Sequence, residues 1–266
     1  GTTGTRGLLV YGRGGVVARA YAELPQHYPR PGWVEHSPKE ILQVTWRVIR
    51  RVLLDGRVRP SRVSAVGITN QRETTILWDR RTGRALANAI VWQCRRTAPM
   101  CTRLAAQGYR PLIRRKTGLL LDAYFSGTKI RWLLDHVPLA RRRAQRGELA
   151  FGTVDSWLLW HLTGGRAHAT DDTNASRTLL YNIRTRRWDD ELLRLFGIPS
   201  SLLPRVVSPS GVVGVTAKGG PLPAGIPIAG MAGDQQASMV GHGCLAPGSP
   251  KNTYGTGCFI LVHTGQ

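Results

Sequence analysis

The spacing of hydrophobic residues near the N-terminus changes from a strand period to a helix period. Residues 5–10 and 16–22 are rich in strand-forming residues and flank a Gly-rich turn, which predicts a β-hairpin. Downstream, Ser37-Pro38-Lys39-Glu40 combines an N-cap residue, a first-turn proline and a glutamate at the third helical position. Hydrophobic residues then recur at the helical period as far as Leu53. The chain is therefore expected to open with a hairpin and a long amphipathic helix.

Strand-like and helix-like segments then alternate without a fixed repeat. The pattern predicts strands over residues 63–68 and 74–78 with a turn over 79–83, and helices over residues 94–107, 126–136 and 154–162. Residues 203–227 are rich in Pro, Gly and Ser and are expected to form a long surface connection. This alternation indicates an α/β domain rather than a solenoid.

Composition narrows the class of protein. The 266 residues are 42% hydrophobic and 20% charged, which is typical of globular proteins. No apolar run approaches the roughly 20 residues of a membrane span, so integral membrane insertion is not expected. The four cysteines are Cys94, Cys101, Cys244 and Cys258. No two of them have the C-x-x-C spacing of a zinc or redox site. We expect reduced, partly buried thiols in a cytoplasmic protein.

The chain carries a large positive charge. Its 37 Lys and Arg residues against 16 Asp and Glu residues give a net charge of +21, which favours association with polyanions. The basic residues are scattered, however, and Arg141-Arg142-Arg143 is their one run of three arginines. No nucleic-acid-binding motif accompanies them. A basic polyanion-binding module therefore remains an alternative, with compositional drift as the other explanation of the charge.

Two turns combine glycine with threonine in a way that suits phosphate. Residues 1–6 read Gly-Thr-Thr-Gly-Thr-Arg, and residues 254–257 read Tyr-Gly-Thr-Gly. Backbone N–H groups in such turns bind anions, and threonine hydroxyls add donors, although similar turns also serve as plain hairpin connections. The chain has neither a P-loop sequence nor a G-x-G-x-x-G sequence after a strand, which disfavours those nucleotide-binding folds.

Two polar segments are candidates for contact with a substrate. Residues 67–75 follow an apolar strand and include the adjacent pair Arg72 and Glu73. They could form an exposed strand end with a surface ion pair, or a polar cup that donates to and accepts from a hydroxylated ligand. Asp234 lies in the Gly-rich segment Gly233-Asp234-Gln235-Gln236, where a carboxylate could act as a general base.

The chain resembles the glycerol-phosphorylating members of the FGGY carbohydrate kinase family. The resemblance runs in order along the whole chain, and its most specific motifs are residues 67–75, 89–97, 124–129, 151–155, 173–178, 233–236 and 252–259. It implies two ribonuclease H-like α/β domains of the actin/hexokinase ATPase type, which close over ATP and a polyol. Residues 1–243 would form the N-terminal domain without its first strand, and residues 244–266 would begin the second domain.

The resemblance also assigns roles to individual residues. It implies that Asp234 is the general base, and that Arg72, Glu73, Tyr124, Asp234 and Gln235 bind hydroxyl groups. It implies aromatic walls formed by Trp92 and Phe259, a first phosphate turn containing Thr2, Thr3, Gly4 and Arg6, and a second containing Gly255 and Thr256. The family's metal-handling aspartate would precede Gly1, so no metal ligand is assigned.

The implied reaction is ATP-dependent phosphorylation of glycerol to sn-glycerol 3-phosphate with Mg²⁺. A kinase for another small polyol or ketose is the alternative within the family. Because the chain would lack most of the second domain, we expect it to be inactive alone. The resemblance further implies a cytoplasmic enzyme that forms a homo-oligomer when complete, with no specific nucleic-acid partner.

Overall fold

The computed structural model describes residues 1–12, 14–255 and 257–265. In chain order the strands are β1 (Gly4–Val10), β2 (Val16–Glu23), β3 (Glu35–His36), β4 (Val66–Asn70), β5 (Ile76–Asp79), β6 (Ala89–Ile90), β7 (Leu149–Gly152), β8 (Ala169–Asp171), β9 (Tyr181–Asn182), β10 (Arg187–Trp188), β11 (Arg205–Val207), β12 (Ser210–Val215), β13 (Pro227–Gly233), β14 (Pro250–Tyr254) and β15 (Cys258–Val262). The helices are α1 (Pro38–Asp55), α2 (Ala98–Ala106), α3 (Arg110–Thr117), α4 (Ser126–His136), α5 (Ala140–Gln145), α6 (Val154–Leu162), α7 (Asp172–Ala175), α8 (Asp190–Phe196) and α9 (Asp234–Gly241).

The predicted N-terminal hairpin and helix are confirmed. Strands β1 and β2 pair antiparallel, and α1 packs against both of them. The Ser37 side chain accepts from the backbone N–H of Glu40, as an N-cap should. The Glu40 carboxylate bonds the His27 ring at 3.0 Å, so it serves a tertiary contact at the same helix end.

Several predicted elements have different bounds in the structure. Strand β5 covers Ile76–Asp79 rather than residues 74–78. Strand β4 begins at Val66 rather than residue 63, because Pro60–Arg62 form a short 3₁₀ turn before it. The helix expected over residues 94–107 begins at Ala98, after a turn in which the Cys94 N–H bonds the Val91 carbonyl. Helices α4 and α6 have the predicted bounds.

The surface connection predicted over residues 203–227 is wrong. This segment contains β11, which pairs parallel with β8, and β12, which pairs antiparallel with β13. Leu222 and Ile226 in the same segment are buried. Its Pro and Gly residues therefore shape the turns between short strands that pair with the rest of the fold.

The pairing of β4 with β13 determines where polar side chains meet. The two strands are parallel, with Asn70 opposite Gly233, so their carboxyl ends lie side by side. Residues 71–75 leave β4 at this edge, and α9 starts at Asp234 directly after β13. In α/β sheets, ligands bind at the carboxyl ends of parallel strands. The α/β class is confirmed, and this edge is the expected place for a site.

Two hydrophobic clusters support the strands. One contains Trp78, Trp157 and Ile228, and the other contains Ile130 and Phe151. In the described part of the chain, no helix combines the length and apolar character that crossing a bilayer requires.

Candidate functional site

A cavity of about 170 Å³ opens at the carboxyl ends of β4 and β13. It is lined by Thr2, Gln71, Arg72, Glu73, Trp92, Tyr124, Asp234, Gln235, Thr253, Gly255, Gly257 and Phe259. Pockets for drug-sized ligands typically measure roughly 300–1,000 Å³, so this cavity suits a molecule with few heavy atoms. All seven residues to which the resemblance assigned substrate contacts border this cavity.

The segment after β4 is buried and tightly turned. Arg72 and Glu73 are 6% and 1% exposed, so the interpretation as an exposed strand end with a surface ion pair is wrong. Glu73 has a φ of +62°, and the Thr74 N–H bonds the Arg72 carbonyl at 2.7 Å across it. Such a three-residue turn at positive φ is strained, and backbone strain of this kind clusters at functional sites.

The Glu73 carboxylate pairs with a residue that the sequence left without a role. Arg177 Nε lies 2.6 Å from Glu73 Oε1, and its guanidinium covers the rings of Phe125 and Tyr124 at 4.9 and 5.6 Å. Burial raises the pKa of the Glu73 carboxyl, although Arg72 and Arg177 act in the opposite direction. Arg177 lies in the motif over residues 173–178, which is the sequence feature that could have identified it. The sequence does not show that the Arg177 side chain pairs with Glu73, because this contact depends on the fold.

Arg72, which follows β4, contacts two residues of α9. Its Nε lies 3.2 Å from Asp234 Oδ1, and its Nη1 donates to Gln236 Oε1 at 3.3 Å. The Arg72 Nε–H has no well-aligned acceptor among the described residues, so its contact with Asp234 is an ion pair rather than a directed hydrogen bond. A Cβ on Gly233 would lie 2.6 Å from Arg72 Cδ, and glycine is therefore required there for the close approach.

Asp234 and Gln235 occupy the first turn of α9. The Asp234 side chain is 41% exposed, and its Oδ1 accepts from the backbone N–H of Gln235 at 2.7 Å. Gln235 is buried, and its Oε1 accepts from Lys251 Nζ at 2.7 Å. Because Lys251 occupies the amide oxygen, the Gln235 NH₂ group is left to donate. Sequence reasoning did not identify Lys251, which reaches the site from β14.

A buried polar network supports both strand ends. Thr173 Oγ1 accepts from the Gly233 N–H at 2.7 Å and donates to Asp171 Oδ2 at 2.5 Å. The Asn70 and Asn174 side-chain amides bond each other in both directions, at 2.9 and 3.1 Å. These bonds anchor the residues immediately before Gln71 and Asp234. The backbone of the site is thus held by side chains from β8 and α7.

Beneath this network lies a fully buried carboxyl group, that of Asp155. It accepts from the hydroxyls of Thr153 and Thr170. Burial, together with the nearby Asp171 carboxylate, raises the pKa of Asp155 to about 6.

Aromatic side chains form one wall of the cavity. The Trp92 ring lies 5.3 Å from Tyr124 and 6.1 Å from Phe259 between centroids. Trp92 Nε1 donates to Thr2 Oγ1 at 2.9 Å. Burial raises the pKa of the Tyr124 hydroxyl to about 12, so this group is protonated at neutral pH. The wall supplies apolar surface and the Tyr124 hydroxyl at the edge of the polar cup.

The residues predicted to bind phosphate divide into two groups. Thr2 and Gly255 border the cavity. The other three in the first turn do not: the Thr3 carbonyl accepts from Leu24, Gly4 begins β1, and exposed Arg6 lies over the Tyr21 ring at 5.8 Å. Thr256 lies outside the described residues. Within residues 1–12, 14–255 and 257–265, no three His, Cys, Asp or Glu side chains group closely enough to hold a metal ion.

Comparison with known proteins shows the class to which this chain belongs. Residues 1–241 match the N-terminal domain of the FGGY family of carbohydrate kinases, and the chain belongs to this family. The predicted actin/hexokinase-type ATPase fold is confirmed.

The individual proteins to which the chain is similar include glycerol kinases and a xylulose kinase. Glycerol kinase from Symbiobacterium thermophilum is 57% identical over 266 residues, which is all of this chain and 53% of that protein. The crystal structure of Plasmodium falciparum glycerol kinase with ADP matches with a TM-score of 0.92 and 36% identity, over 98% of this chain and 52% of that one. A Brucella ovis xylulose kinase matches with a TM-score of 0.86 and 25% identity, over 97% and 51% of the two chains. The chain thus spans about half the length of these relatives.

Proposed function

We propose that the whole protein containing this chain transfers the γ-phosphoryl group of ATP to a terminal hydroxyl of glycerol, giving sn-glycerol 3-phosphate. One observation carries the proposal: the β4–β13 register brings Arg72, Glu73 and the accessible Asp234 carboxylate to one small cavity. The names of the similar glycerol kinases support the same substrate.

The proposed reaction needs a base beside the reacting hydroxyl. The glycerol oxygen attacks the γ-phosphorus in line, the bond from that phosphorus to the bridging oxygen breaks, and ADP leaves. The hydroxyl proton passes to a carboxylate oxygen of Asp234. Phosphoryl transfer depends mainly on positioning and charge stabilisation, and the buried Arg72 guanidinium beside Asp234 supplies both at this point.

Selection of glycerol is proposed to come from hydrogen bonds rather than from apolar area. Arg72 donates and Glu73 accepts, so together they suit two adjacent hydroxyls, while Gln235 adds an amide donor. Tyr124 offers a protonated hydroxyl, and the rings of Trp92 and Phe259 cover the carbon atoms. An analogue without a bound hydroxyl leaves buried polar groups unpaired, which can cost roughly 10⁴-fold in kcat/KM.

ATP and Mg²⁺ are the proposed cofactors. Thr2 and Gly255 border the cavity where the γ-phosphate would arrive, and we propose that Thr3, Gly4, Arg6 and Thr256 extend this phosphate-binding surface. Mg²⁺ is usually held by one or two carboxylates together with substrate phosphates. Asp234, the accessible carboxylate bordering the cavity, is proposed as the base, so we propose that the nucleotide phosphates carry most of the ion's contacts. When bound, the ion would neutralise phosphate charge.

Residues 1–243 are proposed as an N-terminal domain, which the match of residues 1–241 supports, and residues 244–266 as the beginning of a second domain. A cytoplasmic location and homo-oligomerisation of the whole protein also stay predictions.

A polyanion-binding function is less well supported than a kinase function. Within the one arginine run, Arg141 pairs with Asp135, and Arg143 pairs with both Asp79 and Glu148. These side chains are engaged within the fold, so they do not form a free basic surface. Sub-micromolar binding to mixed-sequence nucleic acid that falls steeply with salt and depends on this run would instead favour the module.

The deciding experiment is a substrate panel with the whole protein. ADP release is measured in a coupled assay with glycerol, xylulose, ribulose and gluconate. We expect kcat/KM to favour glycerol by several orders of magnitude, because an aromatic wall and a small polar cavity leave little room for longer sugars. Preference for a pentulose would overturn the assignment of glycerol and support the xylulose-kinase-like alternative. Absence of ADP release with every substrate would reject the kinase proposal.

A further inference from the structure

Lys129 is a fully buried lysine that does not border the cavity. It lies in the first turn of α4 and is 0% exposed. Its Nζ donates to the carbonyl oxygen of Tyr124 at 2.6 Å and to that of Glu73 at 3.2 Å. Both of these residues border the cavity, so one ammonium group joins the backbones of two segments that are distant in sequence.

Keeping a lysine in this position is energetically costly. Burial lowers the pKa of Lys129 to about 7, against the opposing influence of the Glu73, Cys94 and Asp122 side chains. A buried lysine is rare unless it is paired, and the partners here are two backbone carbonyls. A hydrophobic side chain of similar length would fill the same space without this desolvation cost. The contacts that Lys129 makes therefore call for a role beyond packing.

The Glu73 carbonyl is the point at which several donors converge. It accepts from Ser126 Oγ at 3.1 Å, from Thr75 Oγ1 at 3.1 Å and from Lys129 Nζ. Two of these donors come from the first turn of α4. The residue that they hold has a φ of +62°, a conformation that persists only when the surrounding structure determines it strongly. Glu73 would otherwise relax, and its carboxylate would move with its backbone.

We infer that Lys129 is a positioning residue of the cavity, which holds the strained Glu73 turn and the Tyr124 backbone at a fixed separation so that both side chains meet the same ligand. The inference rests on the proposed function, because it assigns Lys129 to the site proposed to bind glycerol. Its direct effect is on geometry, which can also be measured without substrate.

The first test compares two substrates in the Lys129→Met variant of the whole protein. Glycerol is compared with propane-1,2-diol, which keeps a terminal hydroxyl for transfer but lacks the third one. We expect kcat/KM for glycerol to fall by about 10²-fold, as for a displacement of about 1 Å at a catalytic site. The loss with propane-1,2-diol should be smaller, so that the ratio of the two values falls at least roughly tenfold.

The matched control is Lys116→Met. Lys116 also forms close contacts, with Asp189 at 2.8 Å and Glu191 at 2.6 Å, but neither partner borders the cavity. We expect this variant to keep both kcat/KM values. Equal losses for the two substrates in Lys129→Met would show a purely structural role and would overturn the inference.

A milder variant covers the case in which Lys129→Met does not fold, as judged by far-ultraviolet circular dichroism. Ser126→Ala removes another donor to the Glu73 carbonyl without removing a buried charge, and should lower the substrate ratio in the same direction. An unchanged ratio in Ser126→Ala would then reject the inference.

The second test needs no substrate and separates this inference from the proposed function. Trp92 lies 5.3 Å from Tyr124, so a shift of the Tyr124 backbone changes the near-ultraviolet circular dichroism of this aromatic pair. We expect a difference spectrum for Lys129→Met that largely disappears in a Trp92→Phe background, and none for Lys116→Met. If wild-type protein fails to phosphorylate glycerol but this difference is present, the proposed function fails and the positioning role stands. A spectrum unchanged by Lys129→Met would overturn the positioning role.

Discussion

Arg72 and Asp234 come from distant parts of the sequence, yet Arg72 Nε lies 3.2 Å from Asp234 Oδ1. The contact follows from the parallel pairing of the strands that precede them, in which Asn70 lies opposite Gly233. The arginine side chain is 5% exposed and the aspartate 41% exposed. A buried cation thus holds in place a carboxylate that a ligand can still reach, and such access to the substrate is what a general base requires.

Replacing Asp234 with asparagine should remove the base while preserving the shape of the site. Because the side chain is well exposed and near-isosteric with asparagine, we expect the fold to be retained. General-base catalysis contributes about 10²–10⁴-fold, so kcat of the whole protein should fall by that factor while glycerol affinity changes little. Steady-state kinetics with calorimetric binding measures both quantities. A variant that keeps a tenth or more of the wild-type kcat would show that Asp234 only positions the substrate.

Replacing Arg177 with methionine should destabilise the protein strongly. Arg177 is the ion-pair partner of a carboxylate that is 2% exposed at the side chain, that of Glu73. Removing one member of a buried pair typically costs about 3–5 kcal/mol, and because the Arg177 side chain is 24% exposed we expect a cost up to that range. The control is Arg51→Met, which breaks the exposed Arg51–Asp55 pair on α1 and should cost at most about 1 kcal/mol.

Urea unfolding of the two arginine variants measures this difference. Adding Glu73→Gln to Arg177→Met should recover part of the lost free energy of unfolding, because the second change removes the unpaired charge. Equal effects of Arg177→Met and Arg51→Met would contradict the structure at this contact.

Replacing Lys251 with methionine should weaken binding more than it slows chemistry. Lys251 holds the Gln235 amide oxygen, and without it the amide can rotate and present the wrong group to the ligand. A lost hydrogen bond of about 1 kcal/mol corresponds to roughly a five-fold rise in KM. We expect kcat to change less than KM in steady-state assays. A kcat that falls with unchanged KM would instead place Lys251 in the chemical step.

The stability of the protein should depend on pH through histidines that are partly or fully buried, among them the half-buried His168. Its Nε2–H donates to the Phe151 carbonyl at 2.8 Å, and its Nδ1 accepts from Arg80 at 3.2 Å. Burial lowers the pKa of His168 from 6.5 to about 4. The unfolded chain therefore binds more protons between these values, so the free energy of unfolding falls as pH decreases from about 6.5 to 4.

The test measures urea unfolding across this range for wild type and His168→Gln. One histidine contributes a slope of up to about 1.4 kcal/mol per pH unit, which the variant should lack. His36 and His161, whose pKa values burial also lowers to about 4, maintain part of the slope. Asp155, with its pKa raised to about 6, acts in the opposite direction between about 3.8 and 6. An identical slope in the variant would show that His168 does not titrate in this way.

Features that depend on neighbouring residues could be predicted from the sequence. The bounds of α4 and α6 and the Ser37 N-cap of α1 follow from side-chain period and capping, which act within one helical turn. The identities of the seven cavity residues predicted to bind substrate followed from motif resemblance. The segment over residues 203–227 was interpreted wrongly because short strands with many turns have the same local composition as a surface connection.

The tertiary structure alone decided how these residues meet. The Asn70–Gly233 register places Arg72 against Asp234, and no local pattern specifies which strands pair. Likewise, Arg177, Lys129 and Lys251 acquire their roles from partners in other elements of the fold. The sequence by itself therefore determined the helices, which depend on side chains within one helical turn, and the identities of the side chains that line the cavity. Their burial, their partners and the strained turn at Glu73 depend on long-range packing, because only packing removes water and brings separate strand ends together.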